Sequence, residues 1–359
     1  MANFNVDSFI NNIREAENLD ELVQEAFIKQ GKINDYVKIE SGVSMGQQIP
    51  FASKPSLQGQ AITGCDIPED NLNIVFTNKT YNPVNVGGKI PICADDLPRQ
   101  LKIFGQSATA KDLYDIQDSP QVAYMVNMLG EAIVDMMFRL VYFGDTTATN
   151  VSNSETPGHI SDAYNVKYFT PFDGLFKQWI LQTPTSASNY VEITENTKSS
   201  YAEQNNLTSD KAFTIFKSMV QKLSLEARQL KNSGVTYEIH ATTGLVDNYK
   251  EYLRTTNSNF SMQYLEKGIN QLYFDNYKVV ERLDWTNSID LYENDGVKLN
   301  GPHRAKLDFK ENNVLATESE TFFDKIKVHY SDDLNKVFLT HASKIDVKTI
   351  RPELSVIAY

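Results

Sequence analysis

Between Ser119 and Asp145 the chain reads SPQVAYMVNMLGEAIVDMMFRLVYFGD, and no other stretch limits its folding options as strongly. Apolar residues recur at Val122, Val126, Leu129, Ile133, Met136 and Leu140, with Met125 and Met137 widening the stripe. Spacings of three and four are the period of an α-helix with one buried face. Ser119 is a good N-cap, and Pro120 suits the first helical position, where its missing N–H costs nothing. Asn127, Glu131, Asp135 and Arg139 form the opposite edge, and Asp135 and Arg139 are expected to pair one turn apart. Gly144 is expected to supply the left-handed residue that stops the helix, just before Asp145. At about 1.5 Å per residue, 121–142 spans roughly 33 Å. A water-soluble rod of that length organises whatever packs on it.

The rest of the composition is that of a globular chain. Of 359 residues, 41% are hydrophobic and 22% charged, enough for one large or two medium domains with a proper core. The net charge of −12 argues against electrostatic capture of nucleic acid, which needs a basic face. Cys65 and Cys93 are the only cysteines and form no CxxC pair, so neither a disulfide framework nor a zinc ribbon is expected. No run approaches the roughly 18 apolar residues of a membrane span. The N-terminus, MANFNVDSFI, has no basic segment followed by an apolar one, so no secretory signal is expected. These features place the chain in a cytoplasm, or in something assembled there.

Helices and short extended segments alternate irregularly along the sequence, an α+β pattern. The first thirty residues carry one or two amphipathic helices ending near Gly31. Residues 36–98 are β-hairpin material punctuated by Gly59, Gly64, Pro68, Pro83, Gly87 and Gly88, with Tyr81 among them. That hairpin has too few core residues to stand alone and is expected to lean on another surface. Most of 146–206 reads as surface loop, with one short helix at FDGLFKQWILQ. A second strong helix is expected from Asp210 to the NSG at Gly234. The strand VTYEIHA, the helix TGLVDNYKEYLR, the strand NYKVVERLDW and strand-like runs over 286–359 follow.

Catalytic patterns are few. GVSMG at 42–46 matches the G-x-S-x-G elbow of serine hydrolases, but the elbow needs a helix after Ser44, and two prolines soon follow. His159, His240, His303, His329 and His341 stand far apart with no metal-ligand spacing, and His240 is expected to be a satisfied interior residue. VGGK at 86–89 lacks the rest of a phosphate loop and reads as a hairpin turn. Asp95 and Asp96 read as charges at a helix start. No catalytic residue, cofactor or metal is expected, which moves function to surfaces.

An N-terminal arm precedes a Gly/Pro-punctuated hairpin, a return strand ends in ICADDLPR, and the long helix closes on LVYFGDTTA. That succession of elements resembles the major capsid proteins of tailed bacteriophages, with the Hong Kong 97-type fold. FDGLFKQW, the helix from Asp210, YEIHATTGLVDNYKEYLR and QLYFDNYKVVERLDW are similar to the family's axial domain. The resemblance implies an N-terminal arm over 1–47, an extended loop over 48–92 and a peripheral domain with its spine helix over 93–145. It further implies an axial domain with insertions over 146–345, and a return to the peripheral domain over 346–359. Gly144 and Asp145 would stand where the spine meets a flexible link.

In function the resemblance implies a self-assembling subunit of an icosahedral shell around double-stranded DNA, assembled in the host cytoplasm into a virion. Partners would be copies of the chain in hexamers and pentamers, with scaffolding, portal and decoration proteins, and no membrane. Gly59, Gly64, Tyr81, Gly87 and Gly88 would belong to the loop between subunits. No position matches the cross-linking Lys and Asn of some relatives, so the resemblance implies no isopeptide chemistry. An encapsulin-like nanocompartment shell and a hydrolase using Ser44 stand as alternatives.

Overall fold

The long helix forms where its periodicity places it. The computed structural model describes residues 33–52, 76–93, 120–150, 159–183, 187–256, 271–318, 325–331, 334 and 336–359. A short helix α1 (Ile33–Tyr36) leads into strands β1 (Lys38–Glu40), β2 (Gln48–Ala52), β3 (Phe76–Thr80) and β4 (Val84–Cys93), then into the long helix α2 (Pro120–Phe143). Next come β5 (Thr149–Asn150), β6 (His159–Ile160), α3 (Leu175–Gln182), β7 (Tyr190–Val191), α4 (Tyr201–Gln204), α5 (Lys211–Lys222) and α6 (Leu225–Asn232). The chain continues through β8 (Glu238–Ala241), α7 (Thr243–Thr256), β9 (Leu272–Phe274), β10 (Tyr277–Glu281) and α8 (Leu283–Tyr292). It closes with β11 (Ala305–Asp308), β12 (Asn313–Thr317), β13 (Lys325–Ser331), β14 (Lys336–Thr349) and β15 (Val356–Ala358).

Two large sheets carry most of these strands, beside the two-stranded pairs β2–β3 and β5–β6. In the five-stranded sheet the 14-residue β14 is central. Strand β4 runs antiparallel along one edge, from Lys336 opposite Cys93 to Ile345 opposite Val84. Strands β13 and β12 follow one another along the other edge, and β1 adds in parallel outside β12. The second sheet has six strands in the order β7-β15-β11-β8-β10-β9. Residues 346–359 therefore divide between the two sheets. Strand β14 stays in the first, while β15 crosses to pair with β11 and β7 in the second.

Helix α2 buries Ile133, Met136, Met137, Leu140 and Val141, and Asp135 on its far edge is exposed. Val126 and Leu129 lie within the helix, whereas Ser119 falls outside the described residues. The expected Asp135–Arg139 ion pair is not among the contacts of the described residues. Arg139 instead donates to the Tyr168 carbonyl at 3.3 Å and lies 5.7 Å from the Tyr168 and Phe169 ring centres. An exposed i,i+4 pair contributes only a few tenths of a kcal/mol, so two aromatic faces and a carbonyl outcompete it.

Several local expectations are corrected. Gly144 is not left-handed, since the positive-φ glycines among the described residues are Gly42, Gly46, Gly234, Gly296 and Gly301. It ends the helix by letting another stretch of backbone pass close by. The helix expected from Asp210 to Gly234 breaks at Leu223, whose ψ of 129° is extended. Ser224 then caps α6 by accepting from the Ala227 amide at 3.3 Å, a cap signal inside an apolar stripe. NYKVVERLDW is half strand and half helix, with α8 starting at Leu283. VGGK lies inside β4 and is no turn. Within 146–206 the expected short helix forms as α3, while Phe169 and Ile193 in the described loop on either side of it are buried and not at the surface.

Candidate functional site

The hairpin of β2 and β3 pairs in register from Gln48 opposite Thr80 to Ala52 opposite Phe76. Its base is tied at Tyr81, whose amide donates to the Gln47 carbonyl at 3.0 Å and whose carbonyl accepts from the Gly46 amide at 2.9 Å. Tyr81 is fully buried with Val43, Val314 and Ala316, so within one chain it is core. The next amide, of Asn82, donates to Asp346 Oδ2 on β14 at 2.8 Å, and Lys79 Nζ donates to the Thr349 carbonyl. Burial pushes the Asp346 carboxyl up from its ordinary range, against the pull of Lys348. Gly87 and Gly88 lie where β4 crosses His341. A Cβ on Gly87 would stand 2.3 Å from the His341 carbonyl oxygen, and one on Gly88 would stand 2.7 Å from its Nε2. Gly59 and Gly64 fall outside the described residues, as do Asp95 and Asp96.

The end of α2 is a pinned joint. Asp145 is buried, donates its amide to the Phe169 carbonyl at 2.7 Å, and caps Thr147 through Oδ1 at 2.7 Å. Lys177 on α3 reaches both Asp145 and, at 2.9 Å, Asp173, whose Oδ1 also accepts from the Thr146 amide at 2.9 Å. The sequence marked this place by Gly144 and Asp145 but gave no sign of Lys177 as the group that ties it.

Between the two sheets sits a set of buried cations that sequence reading missed. The Arg282 guanidinium stacks 3.8 Å from the Tyr36 ring centre, 4.6 Å from Tyr142 and 4.4 Å from Trp285, and pairs with Asp284 at 2.6 Å. Burial pushes the Tyr142 hydroxyl up to about 12, although Arg282 pulls it down. Arg304 pairs with Glu293 and faces Phe176, while Lys306 pairs with Asp308 at 2.7 Å beneath Trp179. These cations lie on or beside the strand ends, where the linear sequence looks like ordinary surface charge. Only the alternation in HRAKLD over 303–308 hints that polar side chains point inward.

The serine elbow does not form. Ser44 is exposed in a turn between β1 and β2, so a strand follows where the elbow needs a helix. No group of three or more potential metal ligands occurs among the described residues. No helix among them is long and apolar enough to cross a membrane.

The histidines are separate. His240, on β8, contacts Glu238 at 3.6 Å through Nε2 and packs edge-on against Tyr36, but its Nδ1 has no partner. It is interior, as expected, yet only half satisfied. Burial lowers the imidazole pKa of His240, His303 and His341 below the ordinary 6.5. Below pH 6.5 the unfolded chain therefore binds more protons at these sites than the folded one, and stability falls as the pH drops. Each histidine that stays neutral contributes about 1.4 kcal/mol per pH unit to that slope. Urea titrations from pH 7 to 5 are expected to show a steep loss. A His240→Phe variant should have a shallower slope, and an unchanged slope would count against a neutral His240.

No family model and no curated protein matches the sequence. Solved structures do. A chain of the procapsid of satellite phage P4, determined with its size determination (Sid) protein, superposes with a TM-score of 0.50 at 9% identity. That match covers 95% of this chain and 98% of the other. A chain of Mycobacterium phage Ogopogo gives a TM-score of 0.50 at 11% identity, covering 91% and 90%. At such identities the likeness is one of architecture and covers nearly the whole of each chain. The two-sheet α+β chain built around α2 has the fold of phage capsid proteins.

Proposed function

We propose that this chain is a major capsid subunit, self-assembling through hexamers and pentamers into an icosahedral shell that encloses double-stranded DNA without reading its sequence. The observation that carries the reading is the near end-to-end match to a procapsid chain, 95% of one against 98% of the other. Physical features agree with it. A hairpin whose described residues are anchored near its base by Ile49, Lys79, Tyr81 and Asn82 gains burial when it lies across a neighbouring copy. A rod of 24 residues gives a flat tile its stiffness. A net charge of −12 keeps the inner wall from holding packaged DNA. In this reading α2, with Val126, Leu129, Ile133 and Met136 on its stripe, is the spine. Residues 48–92 hold the loop between subunits, with 48–80 as the part before β4 joins β14, and the virion is the chain's destination.

Negative-stain microscopy of the purified protein tests the class: shells or rings are expected, and a strict monomer under all conditions overturns the proposal. Shells filled with a protein cargo and no DNA would move it to a nanocompartment. Replacing residues 48–80 by a short linker should leave the subunit folded and abolish closed shells. Strand β4 must be kept, because it pairs along β14 from Val84 to Cys93. Unfolding of that variant would make the hairpin part of the core.

A further inference from the structure

Six side chains, Lys306, Asp308, Asn312, Asn313, Trp179 and Thr349, form one buried polar constellation between the two sheets. Lys306 on β11 is 2% exposed. Its Nζ lies 2.7 Å from Asp308 Oδ2, 3.2 Å from Asn313 Oδ1 and 3.6 Å from the centre of the Trp179 ring. Asn313, the first residue of β12, donates its Nδ2 to the same Asp308 Oδ2 at 3.0 Å. Its Oδ1 also accepts from Thr349 Oγ1 at 3.1 Å and from Trp179 Nε1 at 3.3 Å, the longer branch of an N–H that Thr349 Oγ1 shares at 2.7 Å. Asn312 Nδ2 holds the other Asp308 oxygen at 2.8 Å. An amine and a carboxamide are thus pressed together in a dry site. One carboxylate touches both nitrogens, and two further donors point at the amide oxygen.

We propose that Lys306 and Asn313 join in an intramolecular isopeptide bond, formed by the chain itself with Asp308 carrying the proton. The Lys306 ammonium first passes a proton to Asp308, leaving a free amine. Burial favours this step, pushing the Lys306 pKa down to about 8 against the pull of Asp308. The lone pair on Nζ forms a bond to Cγ of Asn313, and the carbonyl π pair moves onto Oδ1. Trp179 Nε1 and Thr349 Oγ1 stabilise that oxyanion from where they already stand. Asp308 gives its proton to Nδ2 and takes one from Nζ. The Cγ–Nδ2 bond breaks, the electron pair on Oδ1 re-forms the carbonyl, and one molecule of ammonia departs. Nζ ends with one hydrogen, Asp308 as a neutral acid and the leaving nitrogen as NH3, so protons and charge balance. Fixed juxtaposition of this kind supplies large effective molarities, which is how a poor electrophile such as a carboxamide becomes reactive.

The bond would lie wholly within one chain and would tie β11 of the six-stranded sheet to β12 of the five-stranded sheet. It closes a loop of only a few residues, so its effect is to clamp the two sheets locally. It leaves the unfolded chain nearly as free as before.

Intact and tryptic-peptide masses of the purified full-length protein test the proposal, whether or not it forms shells. The chain is expected to be lighter than its sequence mass by one ammonia and to yield a branched peptide joining 305–310 to 311–325. In Asp308→Asn the branched peptide is expected to be lost or strongly reduced, with 305–306 and 311–325 appearing separately. A native chain at full sequence mass with only linear peptides overturns the proposal, even if the variant fails to fold. So does an ammonia loss confined to a linear 311–325 peptide, which marks a cyclised asparagine.

Discussion

Trp285→Ala is expected to lower the unfolding free energy by about 3–5 kcal/mol, the range for removing a large buried aromatic ring. Trp285 is 1% exposed and stands where α8 meets both α2 and α3. Its ring centre lies 4.9 Å from that of Phe176, 5.5 Å from Tyr142 and 6.0 Å from Trp179, all steeply inclined. It also forms one wall around the Arg282 guanidinium. Truncation would therefore leave a cavity, remove edge-to-face contacts and uncover one side of a buried cation. The indole Nε1 has no hydrogen-bond partner, so the loss is one of volume and ring contacts. Trp285→Phe should accordingly keep most of the stability. Chemical denaturation of the purified protein reads both variants. Equal losses for Ala and Phe would mean that a polar contact of the indole is the important one.

How much of this was legible beforehand follows from what each signal measures. Helix α2 was readable because apolar residues keep one spacing along its 24 residues, and the stripe is buried at Ile133, Met136, Met137 and Leu140. The order of elements was enough to reach the capsid fold. The break at Ser224 and the start of α8 were not readable, because the apolar period runs on through a cap that tertiary packing selects. VGGK resembled a turn because glycine pairs usually mark one. Here they mark the crossing of β4 over His341, a contact more than 250 residues away in sequence. The buried Arg282, Arg304 and Lys306 were illegible for a related reason. Charged residues are seldom fully buried unless paired, and their partners come from other elements. Arg139 shows the same limit, since its local partner lost to rings that only the fold brings near.

Gly144→Ala should destabilise the protein by about 3 kcal/mol or more, at the upper end of what overpacking costs. The sign is the opposite of the usual expectation. Where φ is not positive, glycine to alanine ordinarily stabilises by about 0.4–1 kcal/mol through the unfolded chain. At Gly144 the added Cβ would stand 2.6 Å from the carbonyl oxygens of both Leu140 and Phe172, and 3.1 Å from the Gly174 nitrogen. All three atoms are backbone, so no flexible side chain can yield. Gly174 is the mirror case, with its own Cβ 2.7 Å from the Gly144 nitrogen. Relief would require parting two stretches joined by the 2.7 Å bond from the Gly174 amide to the Gly144 carbonyl. That parting would also pull Lys177 from Asp145, loosening the joint at the end of α2. Gly234→Ala is the control, since Gly234 has φ of +106° and open space around its Cα, so only backbone strain is at stake there. Thermal melts should show the larger drop for Gly144→Ala. If Gly234→Ala proved the more damaging, close backbone approach would not be what requires glycine at the end of the long helix.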